Sequence, residues 1–172
     1  HQTEFTATPT EVQQPRGMVK ETQMANADKA TDEARIRALL DAWADAIRAK
    51  DTNGSLSPYA PDVVRFLLEP PLRYTGVAAL DKAGLEQWFR SFRGQLGYEI
   101  RDLGATVGDD VAFCHSLNRM RGTKADGEDV DLWLRTTLGF RKIDGEWRIT
   151  HEHESVPFYM DGSYKAAVDL KP

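Results

Sequence analysis

The chain of 172 residues has a single cysteine, Cys114, so no disulfide framework within it is possible and the fold must rest on a buried apolar core. Cys114 stands in an apolar run and reads as a small packing residue, not a nucleophile. No apolar stretch approaches the roughly 20 residues that span a bilayer. Residues 1 to 27 also lack the basic-then-apolar order of a signal peptide, so the expectation is a cytoplasmic protein with no membrane partner. Positive charge is not in excess either: 22 Lys and Arg against 27 Asp and Glu give a net charge of −5. The basic residues are scattered, which leaves nucleic acid without its electrostatic footprint.

What is present is ordinary globular composition, 41% hydrophobic and 28% charged, at a length that fits one domain plus extensions. Residues 1 to 27 are rich in Gln, Thr, Glu and Pro without apolar periodicity and read as an extended or disordered arm. From Asp28 the pattern changes. Ile36, Leu39, Leu40, Trp43 and Ile47 follow the spacing of one helical face, with Asp28 or Thr31 as the expected cap and Asp32 and Glu33 near the positive end of the dipole. A loop at Ser57 to Pro61 and an extended run from Val63 to Leu68 follow, stopped by Pro70 and Pro71. Leu85, Trp88, Phe89 and Phe92 mark a second helix.

From Tyr98 onward the signals are all β. Turns at Gly108-Asp109-Asp110, Ala125-Asp126-Gly127 and Asp144-Gly145 separate four runs, the expected antiparallel meander. Helices first and hairpins after them make an α+β fold, a strongly curved mixed or antiparallel sheet wrapped around the long helix. The domain is expected over residues 28 to 160, with a tail from 161 to 172.

The last run, Trp147 to Ser155, alternates strictly. That puts Trp147, Ile149, His151 and His153 on one face, and an apolar face that turns into imidazoles reads as a pocket wall. His151 and His153 are therefore candidates for a general acid or base. With His115 they would also suit zinc, but no metal and no cofactor is expected. Glu69, near apolar walls, is a candidate proton acceptor; Asp62 reads as a turn residue. Asp131, Trp133 and Arg135 alternate on the face opposite Thr136 and read as a subunit contact.

The order of a long helix, Tyr59 to Val64, Glu69-Pro70-Pro71, a Trp-bearing helix, Gly108 to Phe113 and the closing Phe140 to Ile149 with His151-Glu152-His153 resembles the SnoaL-like proteins of the nuclear transport factor 2-like, or ketosteroid isomerase-like, superfamily. The resemblance implies a cone-shaped fold enclosing a mostly apolar cavity, a homodimer through the outer sheet face, and cofactor-independent acid/base chemistry of isomerase, cyclase or dehydratase type on a small hydrophobic ligand. The alternative is a non-catalytic ligand-binding or dimerisation module of the same fold. Matched to the isomerase branch, the cavity face would carry Phe113, His115, Leu117, Thr136, Leu138, Phe140, Trp147, Ile149, His151 and His153; Tyr59 and Trp43 are further candidates for gripping a ligand, through a phenolic donor and a ring face. The isomerase's own acid, tyrosine and base positions fall here at Thr136, Trp43 and Glu69, so steroid isomerase activity is not carried over.

Overall fold

The computed structural model describes residues 16–172. A long helix, α1 (Arg16–Arg48), leads through a short α2 (Thr52–Leu56) into strand β1 (Tyr59–Phe66). A two-residue strand β2 (Tyr74–Thr75), a 3-10 turn (Gly76–Leu80) and helix α3 (Lys82–Arg90) follow. Then come the four strands of the meander, β3 (Phe92–Val107), β4 (Val111–Lys124), β5 (Asp129–Ile143) and β6 (Glu146–Ser155). All six strands form one curved, unclosed sheet in the order β2-β1-β6-β5-β4-β3. Only β1 and β6 run parallel, so the sheet is mixed and the class is α+β.

The apolar stripe of α1 buries Ile36, Leu40, Trp43, Ala44 and Ile47 against the sheet. The sheet answers with Cys114, Leu138, Phe140, Trp147 and Ile149. Burial pushes the Cys114 thiol up to about 11, so it stays a neutral packing group near neutral pH.

α1 starts earlier than its periodicity predicts. Residues 17 to 31 are helical and exposed, so the arm expected up to residue 27 is helix from Arg16, and its first part, residues 1–15, lies outside the described residues. Met18, Lys20, Glu21, Gln23, Met24, Ala25 and Ala27 are good helix formers, and propensity rather than packing sustains this stretch. Helix without burial leaves no apolar rhythm to read. Asp28 and Thr31 are consequently interior positions, not caps; the Thr31 hydroxyl donates to the Ala27 carbonyl at 3.0 Å. Asp32 is buried and accepts from Lys142 Nζ at 2.7 Å, which ties α1 to β5 and lowers the carboxyl's pKa through that hydrogen bond.

Two hairpin turns set the faces of the strands. Asp144 and Gly145 both have positive φ, 51° and 79°, the backbone that a two-residue type I′ turn demands. Between β4 and β5, Lys124 N–H bonds the Glu128 carbonyl at 2.7 Å across three residues, Ala125 to Gly127. The segment after β6 folds back on itself through a bridge between Phe158 and Ala166. Among the described residues no helix is long and apolar enough to cross a membrane.

Candidate active site

The last strand does not alternate from end to end. Phe140 pairs with Ile149 but Gly139 pairs with His151, so Thr150 is an extra residue, a β-bulge. Because side chains switch face at every residue, one inserted residue reverses every orientation beyond it. Trp147 and Ile149 point inward, as the sequence predicts, and are 5% and 0% exposed. Past the bulge it is Glu152 and Glu154 that line the cavity. His151 and His153 are thereby placed outside the cavity, correcting their expected position on its wall. On the outer face both rings pack edge-on against Phe66, at centroid distances of 4.9 and 5.4 Å, and His151 Nδ1 lies 2.8 Å from the Val64 carbonyl oxygen.

The same correction applies to Phe113, His115 and Leu117. Three residues separate the bonded pair Lys124 and Glu128, so residues of equal parity stand opposite each other: Ala112 with Phe140, Cys114 with Leu138, Ser116 with Thr136. Since Leu138 and Phe140 face inward, Ala112 and Cys114 must too, and Phe113, His115 and Leu117 face outward. Phe113 is 49% exposed. His115 covers Gly104, where a Cβ would lie 2.6 Å from the imidazole. Among the described residues no group of three or more His, Cys, Asp or Glu is placed to hold a metal ion.

A cavity of about 720 Å³ lies between the inner face of the sheet, α2, α3 and the segment after β1. Of the predicted lining residues, Trp43 and Tyr59 form part of its wall, and so does Glu69. Leu138, Phe140, Trp147 and Ile149 face inward but fill the core beneath α1 and do not line this cavity. Thr136 is buried on the inner face directly opposite Glu154, with its hydroxyl unpartnered among the described residues.

The polar heart of the cavity is Glu152, whose side chain is fully buried. Its Oε2 accepts the Tyr59 hydroxyl at 2.5 Å and Arg65 Nε at 2.9 Å. Arg65 also donates to the Ala79 carbonyl at 2.9 Å and lies 4.8 Å from the centre of the Tyr59 ring. The second carboxylate oxygen, Oε1, has no hydrogen-bond partner among the described residues. Beside it, burial and then the charge of Glu152 hold the Glu154 carboxyl well above the usual carboxylate range. Burial likewise keeps both cavity phenols, Tyr59 and Tyr98, protonated. Tyr98 Oη accepts from Asn118 Nδ2 at 2.9 Å, while Asn118 Oδ1 accepts from Ser116 at 2.7 Å. This chain of bonds uses the acceptor side of Tyr98 and leaves its O–H to donate.

Glu152, Glu154, Arg65, Tyr98 and Asn118 are absent from the candidates that the sequence yields. The signal was present in part: the Glu-x-Glu of β6 has the same spacing as the His-x-His beside it. Choosing between the two sets requires the bulge. Chemically the arrangement offers a fixed carboxylate, a carboxyl whose pKa is raised and a phenol donor inside one aromatic-walled space, a set suited to moving a proton and steadying a developing negative charge.

A family model described as a SnoaL-like domain matches residues 36–159. Among solved structures, the chain is similar to a nuclear transport factor 2-like protein of unknown function from Pseudomonas putida KT2440, with 34% identity over 83% of this chain and 98% of that one and a TM-score of 0.73. It is similar in fold to a protein of unknown function from Mycobacterium tuberculosis, at 21% identity over 82% and 86% of the two chains, TM-score 0.66. A nuclear transport factor 2-like family protein from Streptomyces avermitilis, proposed to be a dehydratase, shares the fold at 16% identity over 74% and 97%, TM-score 0.64. No curated protein matches.

Proposed function

This chain belongs to the SnoaL-like family of the nuclear transport factor 2-like superfamily, and from that premise we propose that it is a cofactor-independent enzyme that moves protons on a small, mostly apolar ligand, with Glu154 as the proton-transfer group. The observation that carries the reading is the placing of Glu154 beside the fully buried Glu152, which is held by Arg65 and Tyr59; burial and the charge of Glu152 raise the Glu154 pKa well above the usual carboxylate range. A carboxyl whose pKa is raised holds its proton more firmly than an exposed one, which suits a group that takes a proton in one step and returns it in the next. Tyr98 O–H is the donor to the oxygen on which charge develops. Such a set serves an isomerisation, in which the proton leaves a carbon beside a carbonyl and returns to another. It equally serves a dehydration, in which Glu154 takes the proton from the carbon beside the carbonyl and then gives it to the hydroxyl leaving the next carbon, so that the C=C bond forms and water departs. The imidazoles have no part in either.

Deuterium exchange at the carbon beside the carbonyl of a tetralone, followed by NMR in D₂O, tests the reading. The wild-type protein is expected to accelerate exchange, and Glu154→Gln to lower the rate by roughly 10²–10⁴-fold. An unchanged rate in that variant, or no acceleration by the wild type, sinks the proposal.

A second copy of the chain is proposed to pack on the outer sheet face around Trp133. There Arg101 and Arg119 lie 4.5 and 5.5 Å from the indole, Arg119 makes a two-pronged bond to Asp131 at 2.8 and 2.7 Å, and Arg135 Nε donates to Ser155 at 3.1 Å. A large aromatic ring held rigid by arginines on an open sheet is the composition of a subunit contact. Trp133→Glu is expected to yield a monomer by sedimentation velocity; a dimeric variant would refute this placement.

A further inference from the structure

Three polar side chains stand in a row across the inner face of the sheet, Ser116 of β4 directly opposite Thr136 of β5 and Thr136 directly opposite Glu154 of β6. The Ser116 hydroxyl donates its one proton to Asn118 Oδ1 at 2.7 Å, and Asn118 carries the bonding on to Tyr98 at 2.9 Å. The row breaks at Thr136. That residue is 2% exposed and its hydroxyl has no partner among the described residues. A buried hydroxyl without a partner is costly, so its place between two polar neighbours calls for a reason.

The surroundings of Glu154 supply one. Facing it are Glu152 of its own strand, Tyr59 and Arg65 of β1, Glu69 after β1 and Tyr98 of β3. The protonated carboxyl can donate to Glu152, whereas the ionised one meets only like charge there and at Glu69. The Tyr59 hydroxyl and Arg65 Nε are both bonded to Glu152, and Tyr98 O–H is the donor to the ligand in the reading above. Thr136 is left. Residues directly opposite in an antiparallel pair have Cβ atoms about 4.5–5.5 Å apart, close enough for a hydroxyl to reach a carboxylate, and a carboxylate is a stronger acceptor than the Ser116 hydroxyl.

We propose that Thr136 is the positioning residue of Glu154: its hydroxyl turns to donate to the ionised carboxylate and holds it away from Glu152, in the state that accepts a proton from the ligand. Once protonated, Glu154 no longer needs that bond and leans on Glu152 instead, which leaves the Thr136 hydroxyl free, the arrangement seen here. Thr136 lies outside the cavity wall, so it acts only through Glu154. This rests on the reading above that Glu154 moves the proton, and it adds what steadies the charged form of that group.

The test is a carboxyl-carbon NMR titration of Glu154 in the intact protein, the resonance assigned by its loss in Glu154→Gln, run beside the deuterium-exchange assay over the same pH range. Removing a donor to the charged form raises a carboxyl's midpoint, so Thr136→Val and Thr136→Ala are each expected to move it up by about one pH unit. Thr136→Ser keeps the hydroxyl and should stay near the wild-type value; a packing role would group it with alanine instead. The pH midpoint of exchange should move with the titration, and either hydroxyl-free variant suffices if the other does not fold. A midpoint unmoved or lowered without the hydroxyl, or raised as much in Thr136→Ser, overturns the proposal. A raised midpoint in a protein that accelerates no exchange would refute the proton-transfer reading alone; exchange impaired in Glu154→Gln, with the Glu154 titration unmoved in Thr136→Val, would refute this inference alone.

Discussion

The two faces of the central strands treat their ionisable groups in opposite ways. On the outer face, charges are paired where water reaches them: Arg119 with Asp131, Arg101 with Glu99, and His153 standing exposed beside Phe66. On the inner face, Glu152 is fully buried with half of its carboxylate unpartnered, and burial and then the charge of that neighbour raise the Glu154 pKa. The difference teaches where free energy has been given up. Exposed pairs contribute little to stability and cost little to remove, whereas a buried, incompletely paired carboxylate is costly and is retained only where something else depends on it.

The most severe way to break this contrast is to delete Thr150. Without the extra residue the end of β6 would have to turn Glu152 and Glu154 outward and His151 and His153 inward, against the pairing with β1 and β5. The expected outcome is loss of the cooperative unfolding transition in circular dichroism. Next in size is Glu152→Leu, which leaves the mostly buried Arg65 without its anion; a loss of about 3–5 kcal/mol is expected from chemical denaturation. A smaller fall would show that Arg65 finds another partner.

The acid dependence sharpens the comparison further. Glu154 has a folded-state pKa raised above 4.5, so between 4.5 and that raised value the folded protein holds a proton that the unfolded chain has released. Its contribution to stability is therefore fully present below 4.5 and lost as pH rises through the folded pKa. Glu154→Gln should flatten this part of the stability-versus-pH curve. Asp32 acts in the opposite sense: its pKa is lowered from 3.8, so its contribution is present above that value and lost as pH falls further. The smallest effect is expected on the outer face. His153→Ala should change stability by less than about 0.5 kcal/mol and His151→Ala by about 1 kcal/mol, through the bond to the Val64 carbonyl, both measured by thermal unfolding.

Much of the fold is legible in the chain because its local signals agree. The stripe Ile36, Leu40, Trp43, Ile47 shows which side of α1 is buried, and Asp144-Gly145 fixes a turn whose backbone few other pairs tolerate. Alternation also gives the inward orientation of Trp147 and Ile149, although they fill the core and not the cavity wall. The candidate site was legible only in its aromatic part, Trp43 and Tyr59, and at Glu69. Two counts of one residue hid the rest. The three-residue loop before β5 decides which parity of β4 faces in, and Thr150 decides it again in β6. Thr150 is a good strand former with nothing to mark it as the odd residue out, because a bulge arises from what the neighbouring strands require, not from the bulged residue's own preference.

The end of β6 is written His-Glu-His-Glu, so either way of counting its pleat delivers a pair of ionisable side chains to the interior. Most strands that slipped by one position would trade a greasy lining for a wet one and be lost. Here a slip would exchange acidic chemistry for imidazole chemistry. A gain or loss of one codon at position 150, tolerated by compensating changes in β1, is thus a short evolutionary step between two different reactive linings on a single scaffold.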